Sequence, residues 1–398
     1  MGIVIFFFKI LLNIFYFFCK FLPVNKNKIL FLSRQSNEIN LDFKLLYKEL
    51  SERHKDIKAV FICRRVEEGI LSKLSFCGAI LKSLPHLAVS KVCILDSYWP
   101  SVSVLKHKKS LTIIQIWHAL GKIKQSGYQT LGKTSGRGEK IAKSLNMHKN
   151  YDLIIAGGKA WNPFYCQSFG VSEDILINVG LPRIDYLIDQ EEKNREKILK
   201  KYPNFKGKTV ILYAPTFRRG YDSDWHDLTE FIDYNRYILI VKGHPNEKIE
   251  EKNEKYFCCE EFSAVELLSV CDFLITDYSA IALEAAILNI KTYYYIYDYD
   301  RYRKNNGINI DIEKVMKGCT FRKAGDLIRA VEKEAYPVEM LKSYRENYLP
   351  DNPGNSTKSI VNIIESKLGQ KNDETCKENN KKNKAHNTLS HKNNICQK

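Results

Sequence analysis

Paired thiols are missing from this chain. Its eleven cysteines are scattered and form no CxxC pair, which excludes the dense disulfide framework of a small secreted domain. Cys63, Cys77, Cys93 and Cys271 lie in apolar stretches and read as small core residues, so a reducing cytoplasm is the expected compartment. The sequence also lacks a Walker A loop, HExxH and GxSxG, and Gly157-Gly158 opens no GxGxxG fingerprint. Without zinc-finger spacing, an RNP-like aromatic motif or a basic heptad region, no nucleic-acid-reading module is present. No repeat of solenoid length is visible. Asp222-Ser-Asp224 matches the DxD pattern of metal-dependent glycosyltransferases, but it sits in a polar loop and reads as coincidence.

Acidic residues are in short supply relative to basic ones. Lys and Arg number 62 against 46 Asp and Glu, a net charge of +16. Such an excess suits an anionic partner, either a phosphate-rich substrate or an anionic membrane surface. Part of it is local, since seven lysines face three acids between Lys371 and Lys398. With almost no apolar residues there, 369–398 is expected to be a disordered basic tail in which His386 and His391 need no metal.

Residues 1–24 are nearly all apolar and rich in Phe. No small-residue cleavage site follows, which argues against a secretory signal. Lys9, Asn13, Tyr16 and Lys20 are spaced four, three and four apart. On a helix they fall in a strip about 60° wide. A one-sided polar strip suits a helix lying in the membrane interface; a true span and a buried domain helix remain as alternatives.

At 398 residues the chain exceeds one ordinary core, so two domains are expected. Short apolar runs at Lys28-Ile-Leu-Phe-Leu32, Ala59–Cys63, Lys91–Leu95, Thr112–Ile116, Leu153–Ala156 and Ile175–Val179 alternate with helical spacing, as at Leu41–Arg53. After the charged helix Gln190–Lys201 the same alternation resumes with Val210–Ala214, Tyr237–Val241, Phe273–Thr276 and Thr292–Ile296. The reading is α/β: two Rossmann-like, doubly wound halves, 25–189 and 190–368, with ligands at the carboxyl ends of the strands in the cleft between them.

Four polar clusters follow predicted strands. His118, in Ile114-Gln-Ile-Trp-His-Ala-Leu-Gly121, precedes the basic turn of Lys122 and Lys124. A histidine titrates near neutrality and can take a proton from a hydroxyl, although a core histidine bonded to backbone is the plainer reading. Lys242 and His244, in Ile238-Leu-Ile-Val-Lys-Gly-His-Pro245, occupy the equivalent place in the second half and suit a leaving phosphate. Thr276, Asp277 and Ser279 surround the start of the apolar helix 281–288, where a diphosphate would meet free N–H groups; simple helix capping explains Asp277 or Ser279 equally well. Arg218 and Arg219, in Tyr213-Ala-Pro-Thr-Phe-Arg218-Arg219-Gly220, suit bidentate phosphate contacts, with a solvated charge pair as the alternative.

In this order and spacing, Trp117-His118 with its basic turn, Tyr213–Arg218, His244-Pro245, Ile275-Thr-Asp-Tyr-Ser279 and Tyr297–Gly307 resemble the CDP-glycerol glycerophosphotransferase family of teichoic-acid synthesis. The chain departs from that pattern at Ala119-Leu-Gly121, at Ala280 after Ser279, and at Asn306 before Gly307. The resemblance implies a GT-B fold, no metal or other cofactor, and a CDP-polyol donor. It further implies a lipid-linked polymer acceptor and a peripheral place on the cytoplasmic face of the membrane. Under it His118 would be the general base and His244 would assist at the diphosphate. Thr276 and Ser279 would hold that diphosphate, with Arg218 as a further phosphate contact. A sugar-transferring GT-B enzyme and a catalytically silent membrane scaffold are the competing readings.

Overall fold

The computed structural model describes residues 2–67, 69–218, 225–243, 249 and 254–369. The basic tail, His244, Arg219 and the Asp222-Ser-Asp224 loop lie outside these residues. Eleven strands make two parallel sheets. The first contains β1 (Lys28–Ser33), β2 (Lys58–Cys63), β3 (Val92–Leu95), β4 (Thr112–Gln115), β5 (Leu153–Ala156) and β6 (Leu176–Asn178), in the order β2-β1-β3-β4-β5-β6. The second contains β7 (Thr209–Tyr213), β8 (Tyr237–Val241), β9 (Phe273–Thr276), β10 (Lys291–Tyr295) and β11 (Thr320–Phe321), in the order β11-β10-β9-β7-β8. Each order reverses once, between β1 and β3 and between β7 and β9. These switch points are where side chains past the strand ends can surround a ligand.

The strands form because their apolar runs are covered on both faces. All four residues of β3 are buried, as are Ile29 to Ser33 of β1. This is the pattern of a central parallel strand rather than of a half-wet antiparallel one. The helix Leu41–Arg53 starts where Asn40 Oδ1 accepts the Phe43 amide at 2.8 Å, and it lays Phe43, Leu46 and Leu50 on the sheet. The short last strand, β11, was not legible as an apolar run.

The expected extent of the second half, 190–368, needs correction. The helix Ser356–Leu368 packs on the first half instead. Asp185 caps its start by accepting the amides of Ser356 and Thr357 at 3.0 and 2.7 Å, and Glu365 near its end meets Arg53 and His54. Its stripe of Ile360, Val361, Ile364 and Leu368 is buried there.

The N-terminal helix Gly2–Cys19 turns Lys9 and Tyr16 of its polar strip toward the protein, while Asn13 stays exposed. Lys9 Nζ donates to Ser144 O at 2.9 Å and Tyr16 Oη meets His107 Nδ1 at 2.9 Å, with Leu12, Tyr16 and Cys19 buried. The opposite face is open: Phe6, Phe7, Leu11, Phe15 and Phe18 are 48–64% exposed. The neighbouring helix Ile70–Val89 adds Ile70, Leu71 and Leu74 as exposed apolar side chains. Among the described residues no helix is long and apolar enough to cross a membrane.

The halves are joined by a buried ion cluster. Arg183, on the helix Arg183–Asp189, donates through its backbone amide at 2.9 Å and its Nε at 3.0 Å to Asp42 of the first half. Its Nη1 lies 3.4 Å from Glu284 Oε1, on the helix Ile281–Ile287 of the second half. A peptide seam lies nearby, where Gln125 N donates to Gly307 O at 3.1 Å and Asn309 N to Ile123 O at 2.8 Å. Gly307 has φ +80°, a left-handed conformation that favours glycine at this seam.

Burial raises the Glu284 carboxyl from 4.5 to about 7, with Arg183 opposing the shift. A carboxyl whose folded pKa exceeds its unfolded one contributes stability at low pH that is lost as pH rises through the folded value. Glu284→Gln is therefore expected to gain in melting temperature relative to the native chain between about pH 5 and about pH 8. A difference that stays flat over that window would show Glu284 to be ionised throughout.

Candidate active site in the interdomain cleft

The carboxyl ends of β1, β3 and β4 face the turn after β7 and the helix after β10 across a cleft of about 410 Å³. Arg34, Lys124 and Arg137 line it together with the imidazoles of His118 and His148, while Thr216, Phe217, Tyr302 and Asn306 come from the second half. Among the described residues that line it there is no aspartate or glutamate. An enclosed surface carrying three fixed cations and no fixed anion selects a negatively charged ligand.

His118 owes its position to a forced turn. Trp117 sits at φ +59°, a left-handed conformation that costs a bulky residue about 1–3 kcal/mol. Gln115 holds it there, accepting the Trp117 amide at 2.8 Å. The chain then swings His118 into the cleft beneath the Trp117 ring, with centroids 4.1 Å apart. His118 Nδ1 lies 3.0 Å from the carbonyl of Asp96 and 3.2 Å from Gln35 Nε2. Both cannot be satisfied with one tautomer, and the fixed backbone carbonyl decides for Nδ1–H as donor. Nε2 is thereby left as an acceptor.

The surroundings keep this ring neutral. Burial pushes the His118 pKa down to about 3, the Asp96 carbonyl opposes this, and the charges of Lys122, Arg183 and Lys124 add to it. Lys122 is itself buried: its ammonium lies 4.1 Å from the Trp117 ring centroid and 4.3 Å from that of Phe169, and it donates to Ser126 Oγ at 2.7 Å. Desolvation holds it well below the ordinary lysine range.

The other side chains singled out in the sequence have different places. Arg218 does not face the cleft as a phosphate contact. Its Nη1 donates to Asp277 and its Nε and Nη2 to Asp298 at 2.8 and 3.0 Å, within a ring of Tyr278, Tyr297 and Tyr302. Asp277 is buried and accepts the Thr216 amide at 3.0 Å as well. Thr276 is also buried and donates to Ala214 O at 2.7 Å. These three residues tie the turn after β7 to the turn after β9, because ions and hydroxyls placed this deep must be satisfied by protein groups. Lys242 donates to Cys259 O at 3.0 Å and so braces the chain after residue 254 rather than presenting its charge to the cleft. Ser279 is half-buried at the start of its helix, its Oγ 3.5 Å from the Ile281 amide.

Asp96, Arg34, Gln35 and the aromatic cage around Lys122 were missed. The rule that found His118, a polar residue directly after a strand, points equally to Arg34 after β1 and to Asp96-Ser-Tyr98 after β3. Among the described residues no three His, Cys, Asp or Glu side chains converge as metal ligands would.

Comparison with known proteins adds three findings. The family model described as CDP-Glycerol:Poly(glycerophosphate) glycerophosphotransferase matches residues 14–366. The teichoic acid poly(ribitol-phosphate) polymerase of Bacillus spizizenii is 29% identical over 361 residues, 87% of this chain and 57% of the relative. The teichoic acid ribitol-phosphate primase of the same organism is 25% identical, over 87% of this chain and 93% of the relative. The chain thus spans little more than half of the first relative and nearly all of the second. Among solved structures, the wall teichoic acid polymerase TagF superposes with a TM-score of 0.70 at 17% identity, over 87% of this chain and 90% of that one. The two parallel sheets therefore have the GT-B arrangement of TagF.

Removing one partner of a buried ion network strands the others without a counter-charge, at about 3–5 kcal/mol. Arg218→Ala is expected to destabilise the fold by that order in denaturant unfolding. Unchanged stability with weakened donor binding would instead make Arg218 a ligand contact.

Proposed function

The chain belongs to the CDP-glycerol:poly(glycerophosphate) glycerophosphotransferase family, and from that premise we propose that it transfers glycerol phosphate or ribitol phosphate from a CDP-polyol to a hydroxyl of a lipid-linked polymer. The observation that carries this reading is the neutral His118 imidazole, its Nε2 unprotonated, in a cleft whose charged lining, among the described residues, is cationic. The acceptor hydroxyl attacks the phosphorus bonded to the polyol. A new P–O bond forms to the acceptor, the P–O bond to CMP breaks, and the hydroxyl proton passes to His118 Nε2. CMP leaves with its charge met by the cationic cleft. An isolated base with a pKa of about 3 would accept that proton poorly. The diphosphate of the donor offsets the charges of Lys122, Lys124 and Arg183, and so raises the ring toward the operating pH when it binds.

Ser279 is assigned to the donor's diphosphate by its place at the second switch point, and His244 to the leaving group by its place after β8. Neither a metal nor another cofactor enters the proposal. The exposed Phe-rich face of the N-terminal helix supports a peripheral position on the cytoplasmic membrane surface, since so continuous an apolar face is costly in water and lowers in energy among lipid chains. With Lys9 and Tyr16 docked on the protein, the helix brings the first half, and with it His118, near a lipid-linked acceptor.

The first test is CMP release from CDP-glycerol and CDP-ribitol with a lipid-linked acceptor, beside His118→Ala. Acceptor-dependent release that survives EDTA and falls at least about a hundredfold in the variant is expected. UDP release from nucleotide sugars alone would move the chain to the sugar-transferring enzymes. For the membrane, Phe7→Glu with Phe18→Glu should free the protein from anionic lipid vesicles while leaving its melting temperature in place. Sedimentation of that variant with the vesicles would remove the helix from the membrane account.

A further inference from the structure

Two classes of buried or half-buried arginine coexist in this protein. Arg183 and Arg218 each meet two carboxylates. Arg34 and Arg137, by contrast, form no ion pair with any carboxylate among the described residues, although both line the cleft and are only partly exposed. Their guanidinium carbons lie 5.8 and 4.9 Å from the centroid of the same ring, Tyr98. Burial and the charge of Arg137 together lower the Arg34 pKa to about 10. Two like charges gathered on one ring without a counter-ion are unfavourable in the free protein, and an anion between them would relieve this.

Asp96 acts on Arg34 in that sense, but as the smallest of the influences on its charge. Asp96 Oδ2 is occupied by Ser33 Oγ and Asn40 Nδ2, each at 2.7 Å, and burial raises its pKa to about 6. The pair is also held in place. The Arg34 amide donates to Ser97 Oγ at 3.1 Å, and Tyr98 Oη donates to Leu145 O at 3.2 Å. Arg34 follows β1 and Tyr98 follows β3, so the two straddle the switch point of the first sheet. His118 follows β4, one strand further on, which sets Arg34 roughly 10 Å from the reacting centre along the sheet. The pair therefore belongs to the side of the cleft opposite Ser279.

We propose that Arg34, Arg137 and Tyr98 form a second phosphate subsite, which holds a phosphodiester of the acceptor chain behind the hydroxyl that attacks. This rests on the reaction assigned above and extends it. A phosphodiester has two non-bridging oxygens, and two guanidinium forks approaching from different loops can each take one. The subsite makes the enzyme prefer an acceptor that already carries a phosphate near its end, and it fixes the distance from that phosphate to the terminal hydroxyl.

The test is calorimetric binding of glycerophosphoglycerol, a one-phosphodiester fragment, and separately of CMP, to the full chain and to Arg34→Gln and Arg137→Gln. Loss of a charged hydrogen bond is expected to weaken glycerophosphoglycerol about ten- to hundredfold in each variant, with CMP affinity unchanged. Melting temperatures should stay level or rise, because an unneutralised charge has been removed. In turnover, acceptor KM should increase while donor KM holds. Equal binding of the fragment by variants and native chain would overturn the proposal. Parallel loss of CMP would place the pair on the donor's phosphates instead, and a fall in melting temperature like that of Arg218→Ala would make it structural. A native chain that binds the fragment through these arginines but releases CMP from no donor would retire the assigned reaction and leave the subsite standing.

Discussion

The cleft has its width because one guanidinium is shared across it. Arg183 grips Asp42 through its backbone amide and side chain, and reaches Glu284 on the far half. Around that point the two switch points are brought opposite each other. The seam at Gly307 and the close approach of Gly121 to Leu283, where a Cβ would stand 2.6 Å from the leucine's Cδ1, extend the same contact. A buried charge cluster is a poor source of net stability, since desolvation offsets most of its attraction. Its use is geometric: it has a single satisfactory arrangement, and that arrangement sets His118 against the second sheet.

Much of this was legible in the residues. Apolar runs gave the strands to within a residue or two, and their alternation with helices gave two parallel sheets. The helix Leu41–Arg53 was bounded correctly because Asn40 is a good cap and Arg53 ends the periodic stretch. Strand β11 was not visible, since two residues are too few to carry a pattern. The helix Ser356–Leu368 has an apolar stripe that any sheet face could cover. Its docking is chosen by Asp185, Arg53 and His54, which lie far from it in sequence.

Position along the chain was easier to read than orientation. Among the described residues, those chosen for standing after a strand do stand there. A sequence does not show which of them point inward. Arg218, Thr276 and Asp277 are the hardware of the turns, and their polar atoms are consumed by one another and by the backbone. Arg34 and Asp96 escaped notice because neither sits in a motif of recognisable spacing, and because their significance comes from strands that meet only in the sheet. In the polar strip of the N-terminal helix, Lys9 and Tyr16 are docked on the protein and Asn13 is exposed, with the Phe-rich side outward.

The return of Ser356–Leu368 to the first half has a consequence for how the chain is made. That half lacks one of its covering layers until the last helix has been synthesised. Asp185, Arg53, His54 and the apolar surface under Ile360 and Ile364 lack these partners while the whole of the second half emerges. On the ribosome, the unit that begins first is therefore the one completed last, and for that interval its sheet is open to chaperones and to wrong partners.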